Sequence, residues 1–371
     1  MSSRSGVISS VIIVILVFAT VGGFVFLTNQ YVPSYVAVVV IEPGFGDRSV
    51  ADQAYEGLFE IDIVVDYDLR VADDVDDLED TITEIARNQN HDLILVIGTE
   101  VGLTDAVENV ATAYPDQKFG FIGGFVDLPN VASATFNQEE ASFLAGVLAS
   151  HIAVNSGRSR IVGIIGSVET DTTVAQLIDG FLQGLDYANQ TLGNVELLPT
   201  QYVGSYNDSE SADTLARNMW NPSLGNASII FTPVRASIEG IRSAMEYANQ
   251  TWFANVTNRA PLAIGAEGDN RYMGNPDIDI RAGPSWIITS VVPRSDLAVA
   301  RIINATLWDN FIGESDYGGV NAGVVGGNLA NNGTILADML QFRSETWVTD
   351  SMLALVSDIR LAIINRTITL S

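Results

Sequence analysis

Short β-branched runs alternate with segments of helical spacing along most of the chain, and no other feature narrows the fold as far. Tyr35 to Ile41, Ile61 to Val65, Asp92 to Gly98 and Lys118 to Gly123 read as strands. Ser49 to Glu60, Asp73 to Asn88, Thr104 to Tyr114 and Gln138 to Ile152 read as the helices that follow them. Such alternation argues for an α/β fold on parallel sheets. The series then restarts: Arg160 to Gly166, Leu197 to Val203, Ser228 to Phe231 and Leu262 to Gly265 are strand-like, with helical segments Thr172 to Ala188, Ser211 to Met219 and Ile238 to Tyr247 between them. Two doubly wound lobes are therefore expected, joined near Asn155-Ser156-Gly157. The first takes residues 34–155 plus about 284–330, and the second 156–283 plus about 331–371. Trp286 to Val292 and Asp296 to Asp309 are placed in the first lobe as the simplest return of the chain.

Length and composition agree with that division: 371 residues, 47% of them hydrophobic, supply cores for two lobes of roughly 150 residues each. The net charge is -27 and Lys118 is the only lysine. Such a surface repels phosphate backbones, so nucleic acid is not an expected partner. A solvated acidic coat and a cation-binding surface both remain open readings of the charge. With no cysteine and only His91 and His151, the sequence has no thiol chemistry, disulfides or Cys/His zinc site. The acidic run Asp73-Asp74-Val75-Asp76-Asp77 lies where a helix dipole favours negative charge, and it lacks the D-x-D-x-D-G spacing of a calcium loop. Neither a metal nor a cofactor is expected. No nucleophile elbow, dinucleotide fingerprint, phosphate loop or H-E-x-x-H motif is present, so an enzyme is not expected.

Val7 to Leu27 is a run of 21 residues without a charge, long enough to span a bilayer as a helix. It exceeds the apolar region of a cleaved signal peptide, which favours an uncleaved N-terminal membrane anchor. Asn-X-Ser/Thr sequons at Asn189, Asn207, Asn226, Asn249, Asn255, Asn304, Asn332 and Asn365 point to an exported, N-glycosylated body on the extracellular side.

The stretch GFGDRSVADQAYEG, Gly44 to Gly57, follows the first strand and opens a helix with Ser49 and Asp52 as a capping box. Ligands of doubly wound sheets bind outside the carboxyl ends of the strands. The rim segments are therefore 44–49, 98–102, 123–127, 167–171, 204–208, 266–270 and 290–293, which include Ser290. Among them Asp47, Tyr206, Glu267 and Asp269 carry chemistry suited to a polyhydroxylated or cationic ligand.

The block PNVASATFNQEEASFLAGVLAS, Pro129 to Ser150, resembles the basic membrane protein family of ABC-importer substrate-binding lipoproteins, which includes purine-nucleoside-binding members. YPDQKFGFIG from Tyr114, QYVGSYND from Gln201, AIGAEGDN from Ala263, IITSVVPRSDLAVA from Ile287 and GGVNAGVVGGNLA from Gly318 follow in the family's order, so the resemblance covers roughly Val36 to Ala330. It implies a type I periplasmic-binding-protein fold, two lobes joined by crossing hinge strands, a nucleoside-like ligand between them, and an ABC permease that reads the closed form. By similarity Asp47 and Ser49 occupy the family's aspartate and serine of the first loop. The sequence departs from the pattern at Val50 and Ala51, at Thr99 in place of an aromatic, at Gly123 in place of an acid, at Glu267 in place of aspartate and at Pro293 in place of lysine. Loss of an aromatic platform and of a charged donor each removes roughly one to a few kcal/mol of nucleoside recognition. A ligand sensor on the same fold and a diverged surface glycoprotein are the other readings of this pattern.

Overall fold

The computed structural model describes residues 14–17, 24–27, 34–46, 48–61, 65–155, 158–256, 258–278, 283–319, 326–340, 343 and 346–370. Strands β1 (Val14–Val17) and β2 (Phe24–Leu27) pair antiparallel, with Val14 opposite Leu27 and Val17 opposite Phe24. Both lie inside the run expected as one membrane helix, and that expectation is corrected for these residues. Hydropathy does not separate helix from strand, and the run is rich in valine and isoleucine, whose branched side chains favour extended backbone. The remainder of that run lies outside the described residues. No helix among the described residues is long and apolar enough to cross a membrane.

The first lobe is built on β3 (Ser34–Ile41), α1 (Val50–Gly57), β4 (Val65–Ala72), α2 (Val75–Asn88), β5 (Leu93–Ile97), α3 (Leu103–Ala113), β6 (Phe119–Ile122) and β7 (Val131–Ala134). Val36 to Val39 and Leu93 to Val96 are fully buried, because a central parallel strand is covered on both faces. Ser49 caps α1 by accepting the Ala51 amide at 3.4 Å, while Asp52 accepts the amides of Gly46 at 2.5 Å and Arg48 at 2.9 Å. At the start of α2, Asp74 accepts the Asp77 amide and Asp77 accepts that of Asp73, each at 2.9 Å. The acidic run is thus a helix start whose carboxylates satisfy free amides.

The chain then enters the second lobe through α4 (Glu139–Val154), followed by β8 (Ile161–Gly166), α5 (Thr172–Leu192), β9 (Glu196–Leu197), β10 (Gln201–Tyr202), α6 (Ser209–Trp220), β11 (Ile229–Thr232), α7 (Ile238–Ala248), β12 (Leu262–Gly265) and β13 (Ile287–Pro293). It returns to the first lobe in α8 (Ser295–Leu307) and β14 (Ser315–Asp316), and ends in the second with β15 (Thr334–Leu336) and α9 (Asp350–Ile364). The first sheet has the order β14-β7-β6-β5-β3-β4, all parallel. The second runs β10-β8-β11-β12-β13-β15, with β9 also on β8 and only β15 antiparallel.

Two placements differ from the sequence expectation. The sequence pattern puts Trp286 to Val292 in the first lobe, whereas β13 pairs with β12 in the second sheet and is buried along its whole length. Helix α4, placed in the first lobe by its position before Asn155, packs instead on α5 and α9 in the core of the second. Its residues Ala141 to Ser150 are all buried, so it needs apolar neighbours on every side, and the crossing helices of the second lobe supply them. Helix α8 does join the first lobe, where it packs against α1 and β6.

His151 sits near the end of α4, and burial holds its imidazole below the usual value of 6.5. A folded value lower than the unfolded one adds stability above pH 6.5 that is lost as pH falls toward the folded value. Thermal melts from pH 7 to 5 at fixed ionic strength should therefore show a steeper loss in the wild type than in His151→Gln. Parallel curves for the two proteins would refute this.

Candidate functional site between the lobes

Among the described residues, three connections lead between the lobes, and one carboxylate ties two of them together. Asp316, at the end of β14, is buried and accepts the Thr135 amide at 3.1 Å, the Thr135 hydroxyl, and the Gly318 amide at 2.8 Å. The Gly327 amide donates to Thr135 at 2.7 Å and the Asn137 amide donates back to Gly327 at 2.6 Å. The Arg294 amide, on the remaining connection, donates to the Gly333 carbonyl at 2.8 Å. The strands cross in direct backbone contact: a methyl on Gly318 would sit 2.0 Å from the Thr135 carbonyl oxygen.

With the crossings fixed at one side, the carboxyl ends of the two sheets face each other. From the first lobe come Thr99 and Glu100, directly after β5. From the second come Asp171 at the start of α5, Tyr206 in the loop after β10, Arg235 after β11 and Glu267 after β12. Arg235 is the hub. Its Nε donates to Glu267 Oε2 at 2.8 Å, one terminal nitrogen to Glu100 Oε1 at 3.1 Å and the other to Thr99 Oγ1 at 2.8 Å. Asp171 Oδ2 is 3.5 Å from the guanidinium and accepts the Tyr206 hydroxyl at 2.6 Å. The guanidinium lies over the Tyr206 ring, 4.2 Å from its centroid.

Electrostatics follow from burial. The side chains of Arg235 and Glu267 are each 4% exposed. Burial alone would lower the Arg235 guanidinium, but Glu267, Glu100 and Asp171 outweigh it and hold the group further toward the charged form. Burial raises the Glu267 carboxyl, and Arg235 opposes this only in part. Burial and the Asp171 hydrogen bond push the Tyr206 phenol up, which keeps it a donor. Three carboxyl groups thus face one cation. Both members of the closest pair hold backbone angles that L-residues rarely adopt, φ 49° at Arg235 and 64° at Glu267.

Of the residues singled out by sequence, Thr99, Tyr206 and Glu267 meet in this cluster. Asp47 lies outside the described residues. Ser49 is spent on its helix cap, and Asp269 is held by Arg271, Nε to Oδ1 at 2.7 Å and a terminal nitrogen to Oδ2 at 2.6 Å. Ser290 is buried with its hydroxyl accepting the Asn270 amide at 3.1 Å. Gly123, at φ 113°, supports the site from beneath: a methyl there would lie 2.1 Å from the Gly98 carbonyl oxygen and 2.9 Å from the Thr99 methyl. Arg235, Glu100 and Asp171 escaped the sequence reading. Glu100 and Asp171 lie in rim segments already marked, and the same strand-end rule applied after Ile229 to Thr232 leads to Arg235.

The lobes also touch beyond this cluster. Arg48 reaches Glu239 at 3.7 Å and lies 5.6 Å from the Tyr272 ring centroid. A methyl on Gly268 would come within 3.1 Å of the Arg48 carbonyl oxygen.

Two α/β lobes with three crossings and charged loops converging between them define an architecture, and the family follows from residues 35–347, which match the model of the ABC transporter substrate-binding protein PnrA-like family. The chain belongs to this family. Among curated relatives, an uncharacterized lipoprotein of Pyrococcus abyssi is 26% identical over 55% of this chain and 50% of its own length. The ABC transporter nucleoside-binding protein BmpA of Lactococcus lactis is 24% identical over 81% of this chain and 80% of its own. An ABC transporter solute-binding protein of Aeropyrum pernix shares the fold, with a TM-score of 0.74 at 22% identity over 91% of this chain and 93% of that one. The PnrA-like assignment agrees with the resemblance carried by Pro129 to Ser150, and the family is one of substrate-binding proteins.

Proposed function

We propose that this PnrA-like protein is the extracellular receptor of an ABC importer, tethered at the membrane through its apolar N-terminal segment. It takes a small polar solute between its lobes and offers the closed form to a permease. The observation that carries this reading is the meeting of Thr99 and Glu100 from one lobe with Asp171, Tyr206, Arg235 and Glu267 from the other. Contacts of that kind couple hinge closure to what occupies the cleft. The name of BmpA makes nucleosides the first solute class to examine, and the lipoprotein relatives support a membrane-associated position. Sequons at Asn207, Asn255, Asn332 and Asn365 are exposed, which leaves them open to glycosylation on an exported chain.

Titration calorimetry of the full chain in detergent with nucleosides, sugars and amines is the direct test. Saturable one-to-one binding of a solute from that panel is expected; heat of dilution alone for every compound would overturn the receptor reading. A diverged surface glycoprotein draws on one observation, that Arg235 already bonds to both lobes, and it predicts that null result.

A further inference from the structure

We infer that Arg235 is a tethered occupant of the ligand position, and that the solute which displaces it is an organic cation of the guanidinium or alkylammonium class. This inference rests on the receptor reading and names the ligand of the same cleft. Asp171, Glu100 and Glu267 place three carboxylates around a single guanidinium, with Tyr206 beneath it. Carboxylates at the edges and an aromatic face below are the surroundings that stabilise a desolvated organic cation. Neutral solutes entering the cleft would leave Arg235 in place or strand the buried carboxylates, whereas an incoming cation restores the charge balance.

The hydrogen-bond inventory adds an independent observation. Glu267 Oε1, on a side chain only 4% exposed, and Glu100 Oε2 have no partner among the described residues. Ser167 Oγ, after β8 at the same end of the sheet, is fully buried and likewise unpartnered. Arg235 therefore leaves acceptors unused, and a freely placed cation with several N–H groups could serve them. The backbone tells the same story: a residue held at φ 49° is strained, and release of its side chain frees that segment to relax. Because Arg235 bonds to both lobes, it closes the cleft as a bound solute would, and an external cation must compete with a side chain at high effective concentration.

Arg235→Ala removes the competitor. In detergent, the full-length variant is expected to bind methylguanidinium about tenfold more tightly than wild type by calorimetry. Millimolar methylguanidinium should also raise the Tm of the variant by more than that of wild type, while adenosine gains no affinity. The inference falls if methylguanidinium binds both proteins equally, or if Arg235→Ala weakens adenosine binding, which would make Arg235 a ligand contact. In either case adenosine binding to wild type would leave the receptor reading standing. A Tm gain in the variant with no solute of the panel binding wild type would overturn both the displacement of Arg235 and the receptor reading. Should Arg235→Ala alone fail to fold, Arg235→Ala combined with Glu100→Gln lowers the uncompensated charge and is expected to show the same Tm gain; its absence overturns the inference.

Discussion

Gly184→Ala should destabilise the protein by about 3 kcal/mol, because its new methyl would sit 2.0 Å from the Phe143 carbonyl oxygen. The contact is reciprocal across the α4–α5 crossing: a methyl on Gly146 would lie 2.1 Å from the Phe181 carbonyl oxygen, and one on Gly180 2.3 Å from that of Glu139. Glycines on both helices let the two backbones approach directly, and Phe143, Leu144, Val147, Leu177 and Phe181 complete the buried seam. Backbone atoms cannot swing aside as a side chain can, so the helices must separate and the seam loses contact along its length. Gly146→Ala should cost a similar amount. The double substitution should cost less than the sum, since one separation accommodates both methyls. Denaturant unfolding followed by tryptophan fluorescence measures all three; a loss below about 1 kcal/mol for Gly184→Ala would show that the helices do not pack this closely.

Asp316→Ala should cost about 3 kcal/mol and loosen the crossing between the lobes. The substitution leaves the Thr135 amide, the Thr135 hydroxyl and the Gly318 amide without their charged acceptor in a buried place. Asp316→Asn retains one carbonyl acceptor and should recover part of that loss. Hydrogen exchange at the Thr135 and Gly318 amides reports the effect locally, and both should exchange faster in Asp316→Ala than in Asp316→Asn. Unchanged protection in Asp316→Ala would mean that backbone pairing such as Gly327 to Thr135, at 2.7 Å, holds the crossing alone.

Much of the fold was legible because its signals are local. Buried parallel strands must be apolar along their length, so the runs at Val36 to Val40, Leu93 to Ile97 and Ile229 to Phe231 identify themselves. Helix starts are equally local: Ser49, Asp74 and Asp171 each cap the helix that follows. The strand-end rule places Thr99, Tyr206 and Glu267 at the carboxyl ends of the sheets, where the folded chain brings them together. Ser49 and Asp269 stand apart from the cluster, one at a helix cap and one beside Arg271. A polar residue at a rim looks the same in sequence whether it faces the cleft or is consumed by a cap or a neighbouring arginine.

Alternation of strands and helices, the acidic net charge, the absence of cysteine and the PnrA-like motifs were thus determined by sequence alone, since each depends on residue identity or on neighbours a few positions away. Tertiary structure decided which lobe receives β13 and α4, because an apolar segment carries no label for the sheet it will join. It also decided that Arg235, 135 residues from Glu100, stands among acids of both lobes. Attraction between charges depends on distance in space, and only the folded chain sets that distance.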